Sequence, residues 1–264
     1  MGSIKIIKPG LFTTVQDSGR MGFQRYGIPV AGAMDDFAFR VANILVGNDE
    51  NEAALEATFM GPSIEIGFDG YIAITGANMS PKLNGNSVRM WRSIEVHKGD
   101  ELTFSGSSEG LRTYIAFGGG LGVPEIMKSK STYVRGNLGG FKGRKLMEGD
   151  EIPVDDSKSK AKPGRFLYPA YIPRYSKNNV VRVVLGPQDD HFSPEAIDTF
   201  LNSEYKITSE ADRMGYRLDG PKLTHIKGPD IISDGIVFGS VQVPGHGSPI
   251  VMMADRQTTG GYTK

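Results

Sequence analysis

The chain has 264 residues, 39 % of them hydrophobic, with 30 basic side chains against 30 acidic ones. That is enough apolar material for one large core or two small ones, which argues against disorder. The even charge balance provides no field to draw the chain onto nucleic acid or an anionic membrane.

There are no cysteines, so neither a disulfide framework nor a thiolate nucleophile is available. His97, His191, His225 and His246 lack the spacing of metal ligands, and no metal is expected. The start MGSIKIIKPG has no apolar signal core, and no stretch approaches the roughly 18 apolar residues of a membrane span, so the expected location is cytoplasmic. The 35 glycines, well above the average of about 7 %, follow no G-X-Y period and fall between short alternating runs. Tight turns between strands are their natural meaning, and a mainly β chain with a few helices is expected.

The first informative stretch runs from Pro9 to Glu56. It sets Gln16, Asp17, Arg20, Arg25, Asp35 and Asp36 among glycines and then turns amphipathic. Asp35 or Asp36 suits an N-cap, Phe37, Val41, Ile44 and Leu45 follow at i, i+4, i+7 and i+8, and Gly47 suits the stop, which predicts a helix over 36–46. Its N-terminus points back into the loop Gly32 to Asp35, and such an end favours anions. Asp35 is equally a plain cap, and Asp17, in DSG, equally a turn former.

Asn51 to Ala57 suits a short helical turn. Ile64, Ile66 and Phe68 then alternate with polar neighbours, Asp69-Gly70 turns, and Tyr71 to Thr75 runs back as the second arm of a hairpin. Asn84-Gly85 marks another hairpin, Lys98-Gly99-Asp100 separates two further strands, and a strand runs from Arg112 to Phe117. Gly118 to Gly120 end that strand as candidate anion donors, with Lys128, Lys130, Arg135, Lys142, Arg144 and Lys145 bringing positive charge to the same region, although basic loop residues are more often simply solvated. GGGLGVPE lacks the end of a Walker A loop.

Residues 155–165, DDSKSKAKPGR, contain no large apolar side chain and suggest a surface linker between a β-rich subdomain at 1–154 and a second at 166–264. In the second, Val180 to Leu185 reads as a strand, and Ser193 and Pro194 open a helix with Ile197, Phe200 and Leu201 as its buried stripe, ending near Glu204. The closing run DRQTTGGY, from Asp255 to Tyr262, offers a salt-bridging pair, an amide and two hydroxyls before two glycines. It suits a polar ligand needing several hydrogen bonds, or a structural network with capping threonines.

These stretches together resemble the biotin-dependent carboxyltransferase family, also known as allophanate hydrolase subunit 2. The resemblance rests on TTVQDSGRMGFQRYGIPVAGAMD, ANILVGN, Gly118 to Gly120, Val123-Pro124, Lys128 to Thr132, Gly139-Gly140, Gly143 to Asp150, Arg213-Met214-Gly215, Gln242-Val243-Pro244 and DRQTTGGY. Two positions depart from the family pattern, Lys128 standing where it has glycine and Lys130 where it has arginine. Lysine keeps the charge but loses the planar fork of donors. The resemblance implies a cyclophilin-like β-barrel in two subdomains. Relatives usually continue for several strands after the DRQTTGGY run, so a chain stopping at Lys264 is expected to be a truncated form or a short member.

The family includes the C-type subunits of ATP-dependent 5-oxoprolinases, carboxyltransferase parts of urea carboxylases and an antagonist of a kinase inhibitor. The leading expectation is ATP-dependent opening of a cyclic amide, 5-oxoproline, to glutamate in a complex with A-type and B-type subunits, the ATP not necessarily bound by this chain. One alternative is carboxyl transfer to a urea-like or amide nitrogen from biotin carried on a separate protein, since no Ala-Met-Lys-Met attachment site occurs here. The other is regulatory binding. Residue chemistry and motif position together nominate Asp17, Asp35 and Lys130 for catalysis. Substrate binding is expected of Gln16, Arg20, Gly119, Gly120, Ser131, Thr132, Gln188, Arg213, Gln242, Asp255, Arg256, Gln257, Thr258 and Thr259.

Overall fold

A computed structural model describes residues 2–264 and divides the chain into two compact units, one of residues up to Arg20 with Ala31–Asn179, the other of Met21–Val30 with Val180–Lys264. Among the described residues the first unit holds eleven strands: β1 (Gly2–Lys8), β2 (Phe12–Gln16), β3 (Ala54–Thr58), β4 (Ser63–Ile66), β5 (Gly70–Asn78), β6 (Lys82–Leu83), β7 (Asn86–Ser87), β8 (Ser93–Val96), β9 (Glu101–Thr103), β10 (Glu109–Phe117) and β11 (Glu151–Val154). They form two antiparallel sheets, ordered β11-β1-β4-β9-β6-β7 and β2-β3-β10-β5-β8.

Strand alternation explains how the sheets meet. Ile4, Ile6, Ile64, Ile66, Ile152 and Val154 point from the first sheet into the same core as Leu55, Ile72, Ile74, Ile115 and Phe117 from the second. Most of these side chains are fully buried, each contributing about 1.5 to 3 kcal/mol of transfer free energy. The other face of the second sheet, bearing Ala54, Ala73, Tyr114 and Ala116, packs under helix α1 (Asp36–Leu45). Three alanines let the helix backbone approach closely, and Phe39 meets Tyr114 edge-on at 6.1 Å.

Helix α1 is capped as expected, with the Asp35 carboxylate accepting from the Ala38 N–H at 3.0 Å. Its buried stripe is Ala38, Phe39, Val41, Ala42 and Leu45, while Phe37 and Ile44 stay largely exposed. Side-chain size alone places the face one step away, because the close-packed face is built from alanines. The Asn84-Gly85 hairpin forms between β6 and β7, both turn residues taking the positive φ that such a turn demands.

Several expectations are corrected. The mainly β class holds, but both sheets are open, their edge strands β11 and β7, and β2 and β8, being unpaired with each other, so the barrel is not closed. Asn51 to Ala57 gives no helix. Residues 54–58 instead form β3, because pairing with β2 on one side and β10 on the other outweighs local propensity. The segments flanking Asp69-Gly70 are strands but not a hairpin, β4 pairing with β1 and β9, and β5 with β10 and β8.

Residues 155–165 belong to the first unit rather than to a free linker. Asp155 N–H donates to the Gly120 carbonyl at 3.1 Å and the Arg165 carbonyl accepts from Ser93 N–H at 2.8 Å, so this polar backbone is tied down and the division falls at Asn179/Val180.

In the second unit, β12 (Lys206–Ile207), β13 (Gly215–Asp219), β15 (Val241–Gln242) and β16 (Ile250–Met252) form one sheet, and β14 (Asp230–Gly235) pairs with β17 (Thr259–Tyr262). Helix α2 (Pro194–Asn202) has the expected Ser193 cap, but Ala196 is its only buried residue and Leu201 is 52 % exposed. The expected strand Val180 to Leu185 does not form. No neighbouring strand pairs with it, and Val180, Val181, Val184 and Leu185 are exposed.

Candidate functional site

The candidate residues fall into two constellations, one in each unit. In the first unit, β2 ends at Gln16 and the chain turns so that Asp17 faces the loop 129–132. The Asp17 carboxylate accepts from Gly19 N–H at 2.7 Å, Ser129 Oγ at 2.7 Å, Lys130 N–H at 2.6 Å and the Ser131 hydroxyl. Three of these donors converge on Oδ1, and Lys130 N–H alone is on Oδ2. Asp17 thus ties β2 to the loop 129–132 from a buried position.

Its neighbours serve the same joint. Gln16 Nε2 donates to Thr132 O at 3.1 Å, and Thr132 returns both its N–H and hydroxyl to Val15 O at 2.9 Å. Arg20 is fully buried and donates to the Ser131 carbonyl. Gly140 is required there, since a Cβ would lie 1.9 Å from Thr132 Oγ1 at a φ of +56°. Lys130 Nζ pairs with Glu52, a partner that the sequence pattern does not reveal, and donates to Leu121 O at 3.0 Å.

The glycine run does not present an anion nest. Gly118 N–H goes to Tyr71 O at 2.9 Å, Gly119 N–H to Asn48 Oδ1 at 2.8 Å and Gly120 N–H to Phe117 O at 2.9 Å. With every donor satisfied internally, Gly119 and Gly120 shape a turn. The basic residues around it are also engaged or solvated. Arg144 makes two hydrogen bonds to Asp150, at 2.7 and 2.8 Å, and Lys128 and Lys142 are exposed. The Arg144 guanidinium holds the Asp150 carboxyl below the usual carboxylate range.

A polar chain runs from the N-terminus of α1 into the sheet. Tyr175 donates to the second oxygen of Asp35 at 2.8 Å, Asp35 N–H donates to Tyr114 Oη at 2.8 Å, and Tyr114 donates to Glu56 Oε2 at 2.7 Å. Met34 N–H reaches the same Glu56 oxygen at 2.8 Å, and Arg112 stands 3.5 Å from Oε1. Burial pushes both phenols up, and the carboxylate beside each, Glu56 for Tyr114 and Asp35 for Tyr175, adds to the effect, so they stay protonated as donors. Of the three nominated catalytic groups, Asp35 alone is half-buried with one oxygen held only by a phenol. Glu56, Arg112, Tyr114 and Tyr175 were not anticipated. The only sequence signal for the first three was a charged or hydroxylated residue amid an apolar strand.

The second unit gathers the DRQTTGGY run. Arg213 and Asp255 form a two-pronged ion pair, at 3.0 and 2.9 Å, with both side chains only 7 % exposed. Gln257 Nε2 donates to Gln242 Oε1 at 3.2 Å, while Gln242 Nε2 is enclosed without a partner. Arg256 donates to Ile236 O and Met253 O, both at 3.1 Å, and burial lowers its proton affinity. Thr258 is half-buried, Thr259 is exposed at the start of β17, and Gln188 Oε1 accepts from Lys264 N–H at 3.3 Å. Among the described residues no group of three or more His, Asp or Glu side chains is arranged to hold a metal ion, and no helix is long and apolar enough to cross a membrane.

Antiparallel sheets bearing an N-capped helix, with polar loops gathered about Asp17 in one unit and about Asp255 in the other, match a known type of module. The family model of the carboxyltransferase domain, subdomains A and B, covers residues 26–264, and the chain belongs to that family. Among individual proteins it is similar to the C-type subunit of 5-oxoprolinase from Escherichia coli, 40 % identical over 99 % of this chain and 83 % of that protein, and to its counterpart in Haemophilus influenzae, 35 % identical over 95 % and 79 %. Of solved structures, the urea carboxylase of Kluyveromyces lactis superposes with a TM-score of 0.91 at 31 % identity, over 99 % of this chain and 25 % of that one. The solved protein TTHA0988 matches with a TM-score of 0.88 at 30 % identity, and the chain spans 50 % of its length.

Proposed function

We propose that this chain acts as the C-type subunit of an ATP-dependent 5-oxoprolinase, in the cytoplasm, together with A-type and B-type subunits. The observation that carries the reading is the 40 % identity to the C-type subunit of a 5-oxoprolinase, across 99 % of this chain and 83 % of that protein.

The chemistry sets the requirements. A lactam carbonyl is a poor electrophile, so ATP transfers its γ-phosphoryl group to the carbonyl oxygen and ADP leaves. Water then adds to the carbon. The ring nitrogen takes up a proton and leaves as the amine, giving an acyl phosphate, and a second water cleaves that bond to release glutamate and phosphate. Such a site needs a base for water, cationic donors for negative charge and amides to orient the substrate. In this chain Asp35, oriented by Tyr175 and by the first turn of α1, is the proposed base. Within the second unit, Arg256, Gln242 and Gln257 are proposed as a separate constellation for a polar ligand, the unpartnered Gln242 Nε2 being available as a donor. Lys130 is assigned to the loop it ties to Glu52.

Coexpression with A-type and B-type subunits, followed by an assay of 5-oxoproline-dependent release of ADP and glutamate, tests the proposal. Coupled release that disappears when this chain is omitted is the expected result. Asp35→Asn is expected to lower turnover by about 100-fold, the usual contribution of a general base. Full turnover in that variant removes the base assignment.

The urea carboxylase match favours a second reading, in which the chain takes a carboxyl group from biotin on another protein and passes it to a urea-like or amide nitrogen. A stable complex that releases no glutamate but accepts carboxybiotin would select it.

A further inference from the structure

Residues 157–179 carry six lysines and arginines and no acidic residue, a local excess in a chain whose charges balance. Taken alone, such a run is a solvated surface. The fold adds a second property. The segment runs back along α1 from its C-terminal end to its N-terminus. The Lys160 carbonyl sits so close against Gly47 that a Cβ there would lie 2.6 Å from it. Leu167 and Ile172 pack on the cluster that holds Val41 and Leu45, and Tyr175 reaches Asp35. Between helix and segment lies a cleft of about 410 Å³, walled by Val41, Ile44 and Leu45 on one side and Arg165, Phe166 and Leu167 on the other.

The cleft is apolar and open. Phe166 is 61 % and Ile44 43 % exposed, and Tyr168 and Tyr171 continue the exposed surface beyond Phe166. Contiguous apolar surface of this kind marks an interaction site. The charge beside it is one-sided. Among the described residues Lys160, Lys162, Arg165, Arg174 and Lys177 make no ion pair, and Lys158 is paired with Asp155. The acids of α1 and the loop after it do not cancel that charge, since Arg40 bridges Asp36 and Glu50, and Asp49 accepts from Asn51 N–H.

An occupant must therefore bring a row of apolar side chains matching the roughly 15 Å of α1, with negative charge beside it. An amphipathic helix meets both needs, its side chains at i, i+3 or i+4 and i+7 entering the cleft and its carboxylates facing the basic segment. Single-stranded nucleic acid fits less well. Tyr168 and Tyr171 meet edge to face, at 61°, rather than offering parallel faces to successive bases, and the aliphatic walls give a phosphate no donor.

We propose that the groove between α1 and residues 160–175 is a docking surface for an acidic amphipathic helix of a partner protein. This surface is independent of the 5-oxoprolinase reading. The probe is a fluorescein-labelled peptide of about 14 residues, made of glutamate with leucine at helical spacing, titrated into the full chain and followed by fluorescence anisotropy.

Saturable binding is expected, about tenfold weaker in Phe166→Ala for the loss of one apolar anchor, and about tenfold weaker again when Lys162→Glu and Arg174→Glu are combined. A peptide with lysine in place of glutamate should not bind. Absence of saturable binding by the leucine and glutamate peptide overturns the proposal. Equal binding of a peptide with serine in place of leucine overturns it in favour of a diffuse charged surface, and tighter binding of an oligothymidylate of similar length overturns it in favour of nucleic acid. Unchanged affinity in Phe166→Ala removes the cleft from it. Should that variant fail to fold, Ile44→Ser on the helix wall provides the same comparison.

Discussion

The two units are stabilised by different means. The first encloses a continuous apolar core between its sheets, with Ile4, Leu55, Ile74, Ile115 and Phe117 all at 0 % exposure. The second buries few apolar side chains, Val243, Met252 and Ala254 among them, and places the Arg213–Asp255 pair and Gln242 in their company. A core of the first kind loses stability in proportion to the volume removed, whereas a buried ion pair fails when either partner goes. The first unit should therefore tolerate polar substitutions poorly but conservative apolar ones well. In the second, one charge governs the fold of its surroundings.

The largest effect is expected from Asp255→Ala, which leaves Arg213 buried without its carboxylate and costs about 3 to 5 kcal/mol. Hydrogen exchange resolved by segment should show amides of β13 and β16 losing protection first. Loss starting in β3 and β10 instead would break the contrast. Leu55→Ala comes next, at about 3 kcal/mol for a core cavity, with protection lost across β3 and its neighbours β2 and β10.

Acid titration sharpens the picture within the first unit. The Asp150 carboxyl is held below its ordinary value chiefly by Arg144. Its contribution is therefore present above the unfolded carboxylate value, near about 4, and is lost as pH falls through the lower folded value. The stability difference between the parent chain and Asp150→Asn should stay constant from neutrality to about pH 4 and shrink below it, as read from urea midpoints. The smallest effect belongs to Ser193→Ala, which removes the α2 cap and should cost about 1 kcal/mol by the same measurement.

Local signals in the sequence were the readable part. Asp35 and Gly47 bracket α1, Asn84-Gly85 fixes a hairpin, and Ser193-Pro194 starts α2, because each is decided by a few neighbouring residues. The partition of strands between two sheets was hidden. Asp69-Gly70 looks the same whether its flanking strands pair with each other or with distant ones, and only the contacts of β1 and β10 decide that. The site divided in the same way. Asp17 and its partners Ser129 and Ser131 are 112 and 114 residues apart, and Tyr175 lies 140 residues beyond Asp35, so nothing nearby reveals that one carboxylate ties down a distant loop and the other is held by a phenol. Arg213 and Asp255 were legible as candidates, but their mutual pairing was not.

The three alanines beneath α1 have a further consequence. Ala54, Ala73 and Ala116 set the height at which the helix rides above the strands, and Asp35 and its Tyr175 contact ride with it. A single added methylene pair at Ala73 would act as a shim, lifting the helix and shifting Asp35 without touching any polar atom. The position of the Asp35 carboxylate is thus adjustable from underneath, through side chains that carry no polar atom.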